Sequence, residues 1–143
     1  CFLVRRRNWK NKITMQAYIA IPYQGRNEIR EELDTITSIL NQCGVSPLIF
    51  ADQNSFKAEE EQQMMQQAME DINESDWLIT LASEKAIGIG IEAGFAKGKG
   101  KPVIYIRHME AEHSTTLSGI SDYQIIYVDL QDLGQKLKRI VYQ

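Results

Sequence analysis

Residues 76–107 read DWLITLASEKAIGIGIEAGFAKGKGKPVIYIR. Asp76–Leu81 is a short and largely apolar run, and Pro102–Arg107 is another. Runs of that length suit strands buried on both faces of a sheet. Between them, Ala82–Gly90 reads as a loop and Ile91–Lys97 as the start of a helix. A strand, a helix and a second strand in that order make a parallel crossover.

The same alternation extends in both directions. Upstream, Ala17–Pro22 (AYIAIP) is an apolar run suited to a first buried strand. In Asn27–Gln42 the residues Ile29, Leu33, Ile36 and Leu40 recur at helical spacing. Gly44 supplies a stop to that helix. Ser46–Phe50 (SPLIF) reads as a second strand, and Pro47 places it at a sheet edge because proline donates nothing to a ladder. Ala51–Phe56 reads as a polar loop. Ala58–Asn73 reads as a second helix with Met65, Ala68 and Ile72 on its buried side. Downstream, His108–Gly119 reads as a long polar loop, Tyr123–Val128 as a fifth strand and Leu130–Tyr142 as a closing helix. Five strands separated mostly by helices predict an α/β, three-layer, flavodoxin-like fold with a five-stranded parallel sheet in the order 2-1-3-4-5. Ligands of such sheets bind beyond the C-terminal strand ends, where strands 1 and 3 send their chains to opposite faces. The loops after Ile21 and after Leu81 are therefore where chemistry is expected.

The chain has 143 residues, 43% of them hydrophobic and 24% charged, with a formal net charge of −3. One domain is the default at this length. The charge argues against nucleic acid as a partner, which needs a basic surface. No apolar run approaches the roughly 18 residues of a membrane span, so no membrane partner is expected. Two cysteines, Cys1 and Cys43, make neither a disulfide framework nor a metal site, and Cys43 reads as a small buried residue. His108, His113, Glu110 and Glu112 share one loop without the spacing of a metal site, so no metal is expected. A reduced, cytoplasmic setting fits best. Cys1–Thr14, with the basic run Arg5–Arg7, is expected to be an N-terminal extension that is upstream or non-native sequence. Met15 is expected to be the natural start, and the domain to run over 15–143.

Ile87–Gly94 (IGIGIEAG) is the stretch with the most chemistry. Gly88 and Gly90 would let the backbone approach a ligand and adopt positive φ. The helix that follows would offer free N–H groups to an anion or a hydroxyl. Glu92 would lie in its first turn. Three readings of Glu92 stay open on spacing alone. It could complement the helix N-terminus. The segment could be a dinucleotide loop, although its spacing is GxGxxxG and it follows the third strand. Or Glu92 could be a carboxylate that attacks or stabilises an oxocarbenium-like sugar.

The block Ser75-Asp76, Gly88, Glu92, Gly94, Ala96 and Gly100-Lys101-Pro102-Val103 resembles the nucleoside 2-deoxyribosyltransferase family, which includes the Rcl-type 2′-deoxynucleoside 5′-phosphate N-hydrolases. Tyr18 in the first strand and Leu117-Ser118-Gly119 before the fifth are similar to the family as well, so the resemblance spans about Gln16 to Leu137. It implies that Glu92 attacks the anomeric carbon of a 2′-deoxynucleoside or its 5′-monophosphate, and that Tyr18 orients it. It further implies substrate contacts at Gln24, Gly25, Gly88, Gly90 and Ser118, no cofactor, and a homodimer or larger homo-oligomer in which a residue near Ser118 completes the neighbouring subunit's site.

The pattern is incomplete. Ala68 stands where the family carries an acid that helps the base leave, and Ala86 stands where it has Asp or Ser. Pro22 and Gln24 stand where the hydrolases bind a 5′-phosphate with Ser and Arg. A general acid contributes about 10²–10⁴-fold, and Asp52, Glu70 or Asp71 would have to replace it. Arg26 and Ser83 could assist with a phosphate or hydroxyl. Asp76, at the start of its strand, reads as structural. Two alternatives follow: a catalytically weak or inactive nucleoside- or nucleotide-binding module, or an N-glycosidase acting on ribonucleotides.

Overall fold

A computed structural model describes residues 5–8, 11–13, 15–22, 26–82 and 86–142. Two short strands, β1 (Arg5–Asn8) and β2 (Asn11–Ile13), pair antiparallel as a small separate sheet that the sequence reading did not foresee. The main sheet begins with β3 (Met15–Ala20). A 3-10 turn (Arg26–Ile29) then leads into α1 (Arg30–Gln42), which is followed by β4 (Val45–Ile49) and the single-turn α2 (Phe50–Gln53). A second 3-10 turn (Ala58–Glu60) leads into α3 (Glu61–Glu74) and β5 (Trp77–Leu81). The remaining elements are α4 (Ile87–Gly98), β6 (Val103–His108), α5 (Thr115–Ile120), β7 (Tyr123–Tyr127) and α6 (Leu130–Val141).

The sheet order is β4-β3-β5-β6-β7, with every pair parallel. That is the predicted 2-1-3-4-5 order, with Pro47 on the edge strand β4. Side chains alternate across the strands. Ala17 and Ile19 of β3 join Ile79, Ile104, Ile106 and Ile125 against α1 and α6. Tyr18 and Ala20 join Leu78, Val103 and Tyr105 against α3, α4 and α5. Gly44 (φ 72) and Gly100 (φ 75) end α1 and α4 in the left-handed conformation that favours glycine. At the N-terminal edge, Asp76 accepts the Gln16 amide at 3.0 Å while its own amide donates to the Gln16 carbonyl at 2.7 Å. This brace agrees with a structural reading of Asp76.

Three expectations need correction. Helix α4 begins at Ile87, not Ile91, so Gly88 and Gly90 lie inside its first turn and neither has a positive φ. Each helical glycine costs about 1 kcal/mol relative to alanine. Burial of Ile89, Ala93 and Ala96, which line one face of α4, outweighs that cost. Glu92 consequently sits in the second turn. The polar loop 108–119 contains α5, whose N-cap Ser114 accepts the Leu117 amide at 3.2 Å. The loop 51–56 begins within α2, the turn that carries Phe50 away from β4.

Candidate active site

Beyond the C-terminal ends of β3 and β5 the chain diverges: β3 leads to α1 on one face, β5 to α4 on the other. The crevice between them holds a cavity of about 700 Å³, within the usual range for small-molecule sites. Tyr18 and the end of β3 form its floor, Ala86–Ile89 and Glu92 one side, and Met64, Met65 and Ala68 of α3 another. Phe50 and Phe56 contribute an aromatic wall. Their rings stack at 6.0 Å with planes 7° apart, and Phe50 meets the Tyr18 ring at 6.4 Å.

Tyr18 is fully buried, and its hydroxyl donates a hydrogen bond to Glu92 Oε2. Register brings this about: Tyr18 faces the α4 side of the sheet, and α4 crosses so that its second turn lies over β3. Burial, then the Glu92 charge and hydrogen bond, then the Asp71 charge, push the Tyr18 phenol up. It stays protonated and can only donate to the carboxylate. Burial also pushes the Glu92 carboxyl above the usual carboxylate range, and the Tyr18 hydrogen bond opposes that rise. The result is a poorly solvated carboxylate held in one orientation at a cavity wall, as a carboxylate nucleophile requires. The alternative that Glu92 complements the N-terminus of α4 is overturned, because the first turn carries no acid.

Ala86, the N-cap of α4, has no side chain to cap the first-turn amides, and Ala86–Ile89 line the cavity. At the mouth, Arg26 forms an ion pair with Asp52 at 2.5 Å, both being well exposed. A second cavity of about 390 Å³ lies across the start of α4 and shares Ala86, Ile87 and Ile89 with the first. Gly90, Glu112, Thr115 and Tyr105 line it, and the Tyr105 hydroxyl accepts the Ser114 amide at 3.1 Å.

Of the residues expected in a site, Tyr18, Glu92 and Gly88 come together at the larger cavity, and Gly90 lines the smaller. Ser118 lines neither; its hydroxyl accepts from Gln124 Nε2. Gln24, Gly25 and Ser83 lie outside the described residues. Ala68 and Ala86 do line the cavity, but none of the substitute acids does. Asp52 is paired with Arg26, Asp71 accepts Gln67 Nε2 at 2.9 Å, and Glu70 is exposed. Phe50, Phe56 and Met64 were not foreseen. The site was expected in the loops after Ile21 and Leu81, and Phe50 directly follows β4, the strand paired with β3.

Among the described residues no cluster of His, Cys, Asp or Glu could hold a metal, and no helix is long and apolar enough to cross a membrane. In structure the chain is similar to the CMP N-glycosidase BcmB of Clostridium botulinum (21% identity, TM-score 0.63, covering 87% of this chain and 98% of that one). It is also similar to a conserved protein of Enterococcus faecalis V583 (16%, TM-score 0.69, 90% and 99%). A third likeness is to a 2-deoxyribosyltransferase of Bacillus psychrosaccharolyticus (15%, TM-score 0.67, 85% and 95%). These likenesses are of fold. No curated protein matches the chain. The nucleoside 2-deoxyribosyltransferase family model matches residues 17–135, which takes in most of β3, all of β4 to β7 and both Tyr18 and Glu92: the chain belongs to that family.

Proposed function

We propose that this protein cleaves or transfers the N-glycosidic bond of 2′-deoxynucleosides or their 5′-monophosphates through a covalent deoxyribosyl-Glu92 intermediate. The observation that carries the reading is the half-buried Tyr18–Glu92 hydrogen bond at the wall of the crevice. Glu92 attacks C1′ as the base departs, and an acceptor base or water then takes the sugar from the carboxylate. Two easier displacements replace one difficult one. Tyr18 keeps Glu92 in line. The first-turn amides of α4 and the Arg26 guanidinium, whose residues line the cavity, would receive the hydroxyls or phosphate of the sugar. Gln24 and Gly25, which follow β3 in the sequence, are assigned to the same end of the substrate.

A ribonucleotide substrate is the second reading, favoured by the fold likeness to a CMP N-glycosidase. The test is chromatographic detection of free base from deoxynucleosides, ribonucleosides and their 5′-monophosphates, with and without an acceptor base. Release by wild type and not by Glu92→Gln supports glycosidic chemistry, and acceptor dependence separates transfer from hydrolysis. No release from any substrate by folded protein sinks the enzyme reading and leaves a binding module.

A homo-oligomer belongs to the same proposal. Ile87 and Ile91, one turn apart on α4, are 85% and 47% exposed, with Met69 on the neighbouring α3 at 37%. An apolar strip beside the mouth suits a second copy, through which Ser118 could reach a neighbouring site. Sedimentation should show a dimer that Ile91→Glu dissociates.

A further inference from the structure

The larger cavity contains a nucleophile but, among the described residues that line it, no second acid. Glu92 is the one carboxyl there, and the α3 wall, where a leaving base would be protonated, is Met64, Met65 and Ala68. A neutral purine or pyrimidine expelled against that wall would have to leave as an anion. Another wall carries the stacked Phe50–Phe56 pair together with Asn54 and Ser55, and aromatic ring faces attract cations. The charge balance points the same way. Arg26, the one cation among those lining residues, is neutralised by Asp52, while Glu92 stands opposite and the Asp71 charge reaches Tyr18. Among the described lining residues the pocket thus holds one carboxyl, the nucleophile itself, an aromatic pair, and no cation other than the Asp52-paired Arg26.

Resting on the glycosidic reading above, we propose that the preferred substrates are N-glycosides whose base already carries a positive charge, of the pyridinium or N7-alkylpurine kind. The ring nitrogen then needs no proton. Glu92 forms the bond to C1′, the C1′–N pair returns to the ring nitrogen, and the base leaves neutral. Water next attacks C1′, the glycosyl-carboxylate bond breaks back to Glu92, and the water's extra proton goes to solvent. No oxidant, metal or general acid enters the balance. The Phe50–Phe56 wall holds the cationic ring, and the loss of its charge on cleavage weakens that hold and aids release.

The experiment measures base release by the full chain from nicotinamide riboside and 7-methylguanosine, from their 2′-deoxy forms, and from guanosine and cytidine as uncharged partners. Glu92→Gln supplies the background, because cationic nucleosides also hydrolyse unaided. We expect Glu92-dependent kcat/KM for at least one cationic class to exceed that for the uncharged partners by about 100-fold or more, the least that an absent acid should cost. Which class is faster separates the pyridinium from the alkylpurine source. Ala68→Asp, which puts a carboxyl on the bare wall, should narrow the gap by raising release from uncharged nucleosides. Phe50→Leu should raise KM for the cationic substrate by about 3- to 30-fold and leave that for the uncharged ones nearer its starting value. Equal Glu92-dependent cleavage of charged and uncharged nucleosides overturns this proposal while leaving the glycosidic reading standing. Absence of Glu92-dependent release from every substrate overturns both.

Discussion

The two faces of the one sheet have been put to different uses. On the α1 and α6 side, Ile36, Leu40, Leu133 and Leu137 close over Ala17, Ile19, Ile79 and Ile104 in one hydrophobic cluster. On the α3 and α4 side, the same strand β3 turns Tyr18 and Ala20 toward a layer that closes at its N-terminal end with Ile72 and Ala96. At its C-terminal end that layer gives way to a cavity holding a half-buried carboxylate. The chain alternates between the two within one residue, because strand side chains alternate. A solid face supplies the stability that lets the other face hold a hole and a poorly solvated charge. If that division is real, substitutions on the two faces should separate activity from stability.

The largest separation should come from Glu92→Gln. Base release should fall on the order of 10⁴-fold or more, as when an attacking group is removed, with the far-ultraviolet circular dichroism unchanged. Retained activity would mean that the cavity face carries its chemistry elsewhere. The opposite case is Leu137→Ala on α6. Truncating this fully buried leucine should cost about 2–5 kcal/mol of stability, read from urea unfolding, while kcat per folded molecule stays as it was. A fall in kcat at full folding would break the division of labour.

Tyr18→Phe tests the point where the two uses meet, since Tyr18 is both a core side chain and the partner of Glu92. Loss of a hydrogen bond to a charged group is worth about 1.5–3 kcal/mol, so kcat should fall roughly 10- to 100-fold. The pH profile distinguishes orientation from packing. The Tyr18 bond lowers the Glu92 pKa, so its removal should move the acid limb of the rate profile to higher pH. The other charges near the pair, Asp71 on α3 and the Arg26–Asp52 couple at the mouth, are unchanged by the substitution. A fall in kcat with an unmoved limb would mark Tyr18 as packing alone.

The sequence made the two faces legible to different depths. The solid face was readable throughout, since Ile29, Leu33, Ile36 and Leu40 repeat at helical spacing and all are buried. On the cavity face the strands and Glu92 were readable, but the start of α4 was not. Two glycines in four residues carry poor helix propensity, and only tertiary burial of Ile89, Ala93 and Ala96 overrides it. The turn of α2 was hidden for a related reason. Phe50 reads as the last residue of an apolar strand, and only the three-dimensional path carries it across to Phe56. Residues that line a hole need no periodicity with one another, so a pattern search finds the core before it finds the cavity. Family resemblance supplied Tyr18, which as an apolar strand residue is otherwise indistinguishable from core.

The smallest expected effect is also the one that ties the faces together energetically. Burial pushes the Glu92 carboxyl up in the folded protein, so over part of the pH range the folded chain retains a proton that the unfolded chain has released. Stability from this group is fully present below the ordinary glutamate range, around pH 4, and is lost as pH rises through the raised folded value. Above that raised value the ionised Glu92 is therefore a cost that the solid face must offset. Glu92→Gln removes the charge and keeps an acceptor for Tyr18, so it should be more stable than wild type at pH 7–8. A gain of about 0.5–2 kcal/mol is the usual size for relieving one strained functional position. Urea midpoints of the two proteins should converge as pH falls toward 4, where wild-type Glu92 is neutral as well. Midpoints that coincide at every pH would show the carboxylate to be well solvated, and the cavity face would then be no less settled than the solid one.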